Sequence, residues 1–221
     1  MSGVLALVGG GEWTEGCDIA SHLLELSGGS EVVLLPTGSA YENPGKLVAR
    51  ATDHFVGLGA TVVEAPVLNR ADAMVQETAD RLRTARFIYL AGASPMHLRS
   101  VLKDSPVYEA IKEAHLGGAV LAGTNAGADV LCDPMVDPRG GAFSVGLAMV
   151  SNIAVIPRAD EWSHDKIHRT VELAPAGLSL VVLPSATAIL RAGDGTWTTR
   201  GSGLATVYRD MKTITLEDLP S

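Results

Sequence analysis

Short apolar runs alternate with longer segments of helical periodicity along most of this chain, and that alternation constrains the fold more than any other feature. The runs contain four or five residues each and are bounded mostly by Gly, Pro, Asp or Asn. Through residue 122 they span residues 4–8, 32–35, 61–64, 87–91 and 119–122. Continuous apolar runs of this length are typical of buried parallel strands. With helical segments between them, they predict right-handed βαβ units and a doubly wound, mainly parallel α/β sheet with helices on both faces.

The C-terminal third has a different pattern, because strand-like runs follow one another there with short turns between them. The turn Gly193-Asp194-Gly195 has the composition of a hairpin turn, and the expected helix after residue 147 lies at about residues 163–173. We therefore expect a small antiparallel extension at the C-terminal end. No linker or charge block separates it from the rest, so residues 1–221 are predicted to form a single domain.

The overall charge limits the partners of such a fold. Of 221 residues, 17 are Lys or Arg and 25 are Asp or Glu, which gives a net charge of −8 and an isoelectric point near 5.2. Nucleic acids and anionic membrane surfaces require clustered positive charge. We therefore expect neither nucleic acid nor a membrane as a partner.

The first residues and the cysteines bear on location and cofactors. The segment MSGVLALVGGGEW has no basic region, and its apolar run is too short for a signal peptide or a spanning helix. Cys17 and Cys132 are far apart and form no metal-ligand pattern, which favours a reducing compartment. We expect a cytoplasmic location and neither a metal ion nor a cofactor. The sequence leaves open whether the chain forms a homodimer.

Ligands of open α/β sheets bind beyond the carboxyl ends of the strands, so the loops after the apolar runs are the candidate site. Four of these loops are rich in small residues and span residues 9–12, 36–41, 92–95 and 123–128. The first loop lacks the third glycine of a dinucleotide-binding fingerprint, since Thr14 stands in its place. We interpret it as a tight turn in the wall of a cleft. The predicted lining residues are Gly10, Gly11, Glu12, Ser39, Ser94 and Thr124.

The junction after the fifth apolar run is the most specific segment of the chain. Gly123 and Gly127 flank the point where a strand ends and a helix of small residues begins. This spacing is typical of a nucleophile elbow, in which glycines permit a strained turn and close packing of strand and helix. The residue at the tip is Asn125, and the amide of Ala126 would be an oxyanion donor.

Four segments together resemble a known family. They are Leu7-Val-Gly-Gly-Gly-Glu12, Leu34-Leu-Pro-Thr-Gly-Ser39, Ile88-Tyr-Leu-Ala-Gly-Ala93 and Gly123-Thr-Asn-Ala-Gly-Ala128. The last matches the Gly-Thr-Ser-Ala-Gly-Ala elbow of the cyanophycinase and dipeptidase E group of serine peptidases in five of six residues. The resemblance spans nearly the whole chain. It implies the flavodoxin-like sheet of class I glutamine amidotransferases and a hydrolase ancestry.

The resemblance also assigns positions to a catalytic nucleophile and base. Asn125 stands where the family has its nucleophilic serine. Alignment on Gly146-Leu147 and the strand at 153–156 places Arg158 where the family has its histidine base. A small gap in that alignment would place His164 there instead.

The same resemblance gives alternatives for the third catalytic position. Ser185 stands where cyanophycinase-like sequences have a glutamate, whereas Asp133 and Asp137 are candidates for the aspartate of dipeptidase E-like sequences. The implied oxyanion or ligand-binding backbone lies at Gly92, Ala93 and Ala126. No metal is implied, because His164 and His168 lack the accompanying glutamate of a zinc motif.

These replacements predict a peptidase whose catalytic triad is degraded. A carboxamide has no hydroxyl proton to surrender, and arginine cannot act as a general base. The cleft then favours an acidic small molecule or a short acidic peptide as ligand, in a binding or regulatory protein. The remaining alternative is an active hydrolase with a rearranged site that uses Thr124, Ser39 or Ser185 with His164.

Overall fold

The computed structural model describes residues 2–220. Its helices are α1 (Ile19–Ser27), α2 (Pro44–Gly57), α3 (Arg70–Ala73), α4 (Gln76–Thr84), α5 (Pro95–Leu102), α6 (Pro106–Leu116), α7 (Ala126–Leu131) and α8 (His164–Leu173). Strands β1 to β8 are Leu5–Val8, Glu31–Gly38, Thr61–Glu64, Phe87–Gly92, Val120–Thr124, Cys132–Asp133, Met135–Val136 and Phe143–Ser144. Strands β9 to β15 are Val150–Ser151, Ile153–Pro157, Ser179–Leu183, Thr187–Arg191, Trp197–Gly201, Thr206–Arg209 and Lys212–Ile214.

The first sheet contains all five strands predicted from the apolar runs. Its order is β13-β12-β1-β5-β4-β2-β3, and strands β1 to β5 are mutually parallel. Strands β12 and β13 add an antiparallel edge next to β1. The predicted doubly wound, mainly parallel α/β fold is therefore confirmed.

Alternate residues of the parallel strands enter two separate apolar layers. In β1, Leu5 and Leu7 join a layer that includes side chains of α4, α5 and α6, whereas Ala6 and Val8 join a layer that includes those of α1 and α2. Helices thus cover both faces of the sheet. Because both faces are buried, these strands are apolar at successive positions rather than at every second one.

Local sequence determines where several helices begin. Helices α2, α5 and α6 each start with a proline, whose fixed φ suits the first helical turn and whose missing N–H is not needed there. The preceding residues Asn43, Ser94 and Ser105 accept a hydrogen bond from a backbone N–H of that turn. The same type of cap at Ser163 starts α8, the helix predicted at about residues 163–173.

Strands β9, β10, β11, β14 and β15 of the C-terminal third join β6 in a second sheet of order β15-β14-β11-β10-β6-β9. Antiparallel pairs β11–β14 and β14–β15 confirm the predicted antiparallel extension. The pair β10–β11 differs, because it is parallel, with α8 as the crossover between its strands. Strand β12 lies between β11 and β14 in the sequence but pairs with β1 of the first sheet. The chain therefore passes from the second sheet to the first and back again.

Candidate functional site

Asn125 occupies a sharp turn between β5 and α7. Its backbone has φ 52° and ψ −116°, a conformation that is costly for a residue with a side chain. Its N–H donates to the carbonyl oxygen of Val8 on the neighbouring strand β1 at 2.9 Å. This hydrogen bond holds the turn at the carboxyl end of the parallel strands, where the elbow was predicted.

The two glycines that flank Asn125 allow strand and helix to approach each other closely. A Cβ atom on Gly123 would lie 2.4 Å from the carbonyl oxygen of Gly127, and one on Gly127 would lie 2.3 Å from the carbonyl oxygen of Leu90. Neither position has room for a side chain. The Gly123/Gly127 spacing therefore marks a steric requirement of this turn.

The turn borders a cleft of about 180 Å³. The cleft brings together residues predicted for the site from five separate loops, namely Gly10, Gly11, Glu12, Ser39, Gly92, Ala93, Thr124, Asn125 and Arg158. Its lining also includes Trp13, Leu47 and Arg50, which were not among the predicted site residues. The catalytic and binding roles of all these residues stay predictions.

Main-chain hydrogen bonds join the first loop to two loops of the C-terminal third. The carbonyl oxygen of Gly9 accepts from the N–H of Arg158 at 2.9 Å, and that of Gly10 accepts from the N–H of Ala186 at 2.6 Å. The N–H of Gly9 donates to the carbonyl oxygen of Thr187 at 2.8 Å. These backbone contacts fix the first loop beside the cleft, and they require glycine at position 9, where a Cβ atom would lie 2.1 Å from the carbonyl oxygen of Pro184.

Arg158 follows β10 directly and lines the cleft. Its backbone is left-handed, with φ 50° and ψ 42°, and its side chain lies over Gly10, where a Cβ atom would be 3.1 Å from Nε of Arg158. One terminal nitrogen forms an ion pair of 3.3 Å with Glu161. The alternative candidate, His164, is exposed at the start of α8 and does not line the cleft.

Ser185 and Asp133, two of the candidates for the third catalytic position, lie outside the cleft lining. Ser185 sits next to Gly11, and its N–H donates to Oδ1 of Asp160 at 2.7 Å. Asp133 has a structural contact, because its Oδ1 accepts from the N–H of Gly146 at 2.9 Å and so ties down the loop after β6. Neither Ser185 nor Asp133 is among the residues that line the cleft with Asn125.

The predicted backbone donors differ in availability. The N–H of Ala93 donates to the carbonyl oxygen of Gly38 at 3.1 Å, so this amide is already occupied and is not free for an oxyanion. Ser94 caps α5 by accepting from the N–H of His97 at 3.2 Å, and it does not line the cleft. Ala126 is the first residue of α7, where an N–H has no acceptor within its own helix.

Glu12 is the most deeply buried charged group of the cleft, with 2 % of its surface exposed. The hydroxyl of Tyr89 donates to its Oε1 at 2.6 Å, and the hydroxyl of Thr124 donates to its Oε2 at 3.0 Å. Burial raises the pKa of Tyr89 well above its ordinary value, and the nearby charge of Glu12 raises it further. The phenol therefore keeps its proton and acts as a donor. These bonds connect the ends of β1 and β5 with the interior of β4.

A second cavity, of about 160 Å³, adjoins the first, since Asn125 and Arg158 line both. The buried carboxyl of Asp129 also lines it and accepts from the N–H of Val136 at 2.7 Å. Burial raises the pKa of this carboxyl well above its ordinary value. Trp162 forms another part of the wall, with Nζ of Lys166 3.6 Å from the centre of its ring.

Two polar residues of the site were missed by sequence reasoning. Tyr89 lies within an apolar run, and a hydroxyl in a buried strand needs a hydrogen-bond partner, so this signal was available. Arg50 lies on α2, one turn beyond Leu47, and both side chains line the cleft. An arginine on the polar face of an amphipathic helix is common, so the sequence gives no indication that Arg50 lines a site.

The parallel sheet, the strained turn at its carboxyl edge and the cleft that this turn borders define an α/β protein with a nucleophile-elbow architecture. The sequence profile of peptidase family S51 matches residues 5–196. The chain therefore belongs to peptidase family S51.

Individual relatives agree with this assignment. The chain is 24 % identical over 216 residues to the cyanophycinase of Synechococcus elongatus, a match that covers 92 % of this chain and 67 % of that protein. The crystal structure of a peptidase from an acI-B1 Actinobacterium superposes with a TM-score of 0.85 at 24 % identity, covering 97 % of this chain and 93 % of the other. A Listeria monocytogenes EGD-e protein assigned as a peptidase E superposes with a TM-score of 0.69 at 18 % identity, covering 92 % and 100 %.

Two further observations concern membranes and metals. None of the helices between residues 2 and 220 combines the length and the apolar character needed to cross a lipid bilayer. Within the same residues, no group of three or more His, Cys, Asp or Glu side chains is arranged to hold a metal ion. The cytoplasmic location stays a prediction.

Proposed function

We propose that this member of the S51 family binds an acidic amino acid or a short acidic peptide in the Asn125 cleft without cleaving it at the rate of a peptidase. The observation that carries the proposal is the pair of residues at the two critical positions. A carboxamide occupies the tip of the elbow, and a guanidinium follows β10 where the resemblance implies the base.

The chemistry of the pair argues against acyl transfer. A serine-type nucleophile must transfer its proton to an adjacent base as it attacks a carbonyl carbon. Asn125 has no such proton, and Arg158 has no lone pair with which to accept one. Of the family mechanism, only ligand binding and the polarisation of a bound carbonyl group by backbone N–H groups remain.

The charges in the cleft favour an anionic ligand. Arg50 and Arg158 both line it, and guanidinium groups match carboxylates in charge and geometry.

Binding is tested by titration calorimetry with succinate and with L-aspartate. The variant Arg158→Gln should weaken the binding of both by about 10- to 100-fold, because a hydrogen bond to a charged group is worth about 1.5–3 kcal/mol. The matched control is Arg81→Gln, which removes an exposed arginine of α4. Equal affinity of the wild type and Arg158→Gln would contradict the proposal.

Catalysis is tested on Asp-X dipeptides. The purified protein should show no turnover in the usual enzymatic range of about 1–10³ per second. Activity in that range would contradict the proposal, provided that Asn125→Ala abolishes it and so excludes a contaminating enzyme.

Reconstruction of the triad gives a sharper test. Asn125→Ser alone should restore little activity, since the new hydroxyl lacks a base. The triple variant Asn125→Ser, Arg158→His, Ser185→Glu should be measurably more active, and its gains should be strongly non-additive. Histidine tolerates the left-handed backbone of residue 158 better than most side chains do. Robust activity of the single variant would show that a working base, such as His164, is already present.

A second candidate function is hydrolysis by a rearranged site. The observation that favours it is the hydrogen bond from Oγ1 of Thr124 to the Glu12 carboxylate, which pairs a hydroxyl with a proton acceptor inside the cleft. A fluorophosphonate probe should label Thr124 if this function is correct. Absence of labelling, together with saturable binding of L-aspartate, would favour the binding function.

A further inference from the structure

We infer that the second cavity, next to the Asn125 cleft, binds an uncharged carboxamide group of the ligand and that Asp129 is the residue that selects it. The cleft then holds the acidic residue of a short peptide, and the second cavity holds the side chain of an adjoining glutamine. This inference rests on the proposed function, because it specifies the second residue of a ligand whose acidic residue lies in the cleft.

The two volumes adjoin at residues that they share. Asn125 and Arg158 line both the cleft of about 180 Å³ and the second cavity of about 160 Å³. A ligand held against these two side chains therefore has access to both volumes. A peptide of two residues has two side chains to place there, one in each.

The Asp129 carboxyl group has one oxygen that no protein group uses. The residue is 2 % exposed, and its Oδ1 accepts from the N–H of Val136 at 2.7 Å. Oδ2 has no donor among residues 2–220, yet it is not one of the unpartnered side-chain atoms that are sealed from solvent. Oδ2 is therefore open to the cavity that Asp129 lines. A buried polar atom of this kind is expected to have a hydrogen-bond partner, and a bound ligand can supply it.

The rest of the lining favours a side chain with an apolar stem. Proline, valine and tryptophan side chains form much of the wall, namely Pro95, Pro138, Pro157, Val136 and Trp162. The other two charged residues of this cavity, Arg158 and Glu161, form an ion pair of 3.3 Å with each other. Asp129 is therefore left as the hydrogen-bonding group for the end of a ligand side chain.

The surroundings of Asp129 disfavour a charge on it. Burial raises the pKa of this carboxyl well above its ordinary value, and the nearby charge of Asp137 raises it further. Among residues 2–220, no Lys, Arg or His side chain forms an ion pair with it. A protonated carboxyl group both donates and accepts, and so does a carboxamide. The two groups are therefore complementary, whereas a cationic side chain would require the buried carboxyl group to ionise.

The test is a calorimetric titration with the dipeptides Asp-Gln and Asp-Met, whose second side chains are similar in length and differ in the carboxamide. Asp129→Leu replaces the carboxyl group by an apolar group of similar size. The ratio of the Kd for Asp-Met to that for Asp-Gln should be about tenfold larger in the wild type than in this variant, the effect of one buried hydrogen bond. Asp165→Leu, the same exchange at an exposed position of α8, should keep the wild-type ratio.

A second variant decides if Asp129→Leu does not fold, since that change also removes the acceptor for the N–H of Val136. Asp129→Asn keeps an oxygen for this N–H and presents an amide nitrogen, which can donate to the carbonyl oxygen of a carboxamide. It should therefore keep the preference of the wild type for Asp-Gln over Asp-Lys. A site for a cation would lose its affinity for Asp-Lys in this variant.

Three outcomes overturn the inference. The first is an equal ratio of the two Kd values in the wild type and in Asp129→Leu. The second is a wild type that binds Asp-Lys or Asp-Glu at least as tightly as Asp-Gln, and the third is loss of the preference for Asp-Gln in Asp129→Asn. In each case binding of succinate leaves the proposed function intact. If neither succinate nor any of the dipeptides binds, the inference and the proposed function both fail.

Discussion

At Asn125 the backbone forms a strained turn between strand and helix, and the side chain is a carboxamide without a hydroxyl group. The strained φ and ψ angles are maintained by surrounding contacts, including the hydrogen bond from its N–H to Val8. Such strain normally accompanies function. In this chain the strain has a definite energetic cost, which substitution can measure.

The cost is revealed by comparing Asn125→Gly with Asn125→Ala. Both changes remove the amide side chain, but only glycine adopts φ 52° without strain. After allowance for the greater freedom of glycine in the unfolded chain, the glycine variant should be more stable by about 1 kcal/mol. Urea unfolding curves give the two free energies of unfolding. Equal stability, or a more stable alanine variant, would show that the turn is unstrained.

The contents of the cleft were only partly predictable from individual residues. Glycines and other small residues at the ends of the strands identified the loops that line the cleft, because a tight turn restricts which residues can occupy it. Arg158 directly follows β10, and its assignment to the base position of the family stays a prediction. The partner of Glu12 was not predicted, since Tyr89 is 77 positions away in the sequence and meets it only through strand order.

The junction of β5 and α7 depends on contact between two backbones. Gly127→Ala would place a Cβ atom 2.3 Å from the carbonyl oxygen of Leu90, and main-chain atoms cannot move aside as a side chain can. We expect a loss of about 3 kcal/mol in the free energy of unfolding, the upper end of typical overpacking costs. Thermal or urea denaturation measures this loss.

Gly57→Ala is the matched control for Gly127→Ala. Gly57 is the last residue of α2, and nothing lies within 4 Å of a Cβ atom built on it. Alanine there should be neutral or stabilising by up to about 1 kcal/mol. Similar losses for both variants would show that the close approach at Gly127 is not what limits the substitution.

The last turn of α6 contains a buried histidine, His115, which gives stability a pH dependence. Burial lowers the pKa of this side chain below its usual 6.5. As the pH falls below about 6.5 the unfolded chain takes up a proton that the folded chain does not, so stability is lost on acidification and is intact above that pH. Between pH 7.5 and pH 5, His115→Gln should lose less stability than the wild type.

The control for His115 is His164→Gln, which changes an exposed histidine at the start of α8. It should follow the wild-type pH profile measured by urea unfolding at each pH. A His115→Gln profile parallel to that of the wild type would contradict the assigned titration.

Strand and helix assignments differ in how far sequence could predict them. The five parallel strands were evident, because burial on both faces makes each of them continuously apolar. The parallel pairing of β10 with β11 was not predicted, since the apolar residues at 153–156 and 180–183 fit either direction. The helix expected at about residues 163–173 was a signal for it, because a helix between two strands is the usual crossover of a parallel pair.

The two sheets are expected to unfold as one unit. Strand β12 comes from the C-terminal third and pairs with β1 in the first sheet, with Leu5 opposite Arg191. The N–H of Arg158 and the carbonyl oxygen of Gly9 add a second connection. The single domain predicted from the sequence implies that the loss of either sheet exposes the core of the other.

Coincident unfolding transitions would demonstrate this coupling. A variant with Trp13→Phe and Trp197→Phe retains Trp162, beside the second sheet, as its only tryptophan. Its fluorescence and the far-ultraviolet circular dichroism of the whole chain should give one urea midpoint. Two separated midpoints would mean that the second sheet folds independently.

The sequence leaves open whether the chain forms a homodimer. Analytical ultracentrifugation of the purified protein measures its molar mass in solution and so answers this question.

The backbone contacts beneath the cleft have a consequence for the history of such a chain. Gly9 and Gly10 hold the loops at Arg158 and Ala186 through main-chain atoms, so the position of these loops depends on two glycines and not on the side chains that line the pocket. Point mutations at its rim can therefore accumulate under selection for the fold alone. Proteins with this backbone can lose one activity and acquire another through a few substitutions of lining residues, while every intermediate sequence still folds.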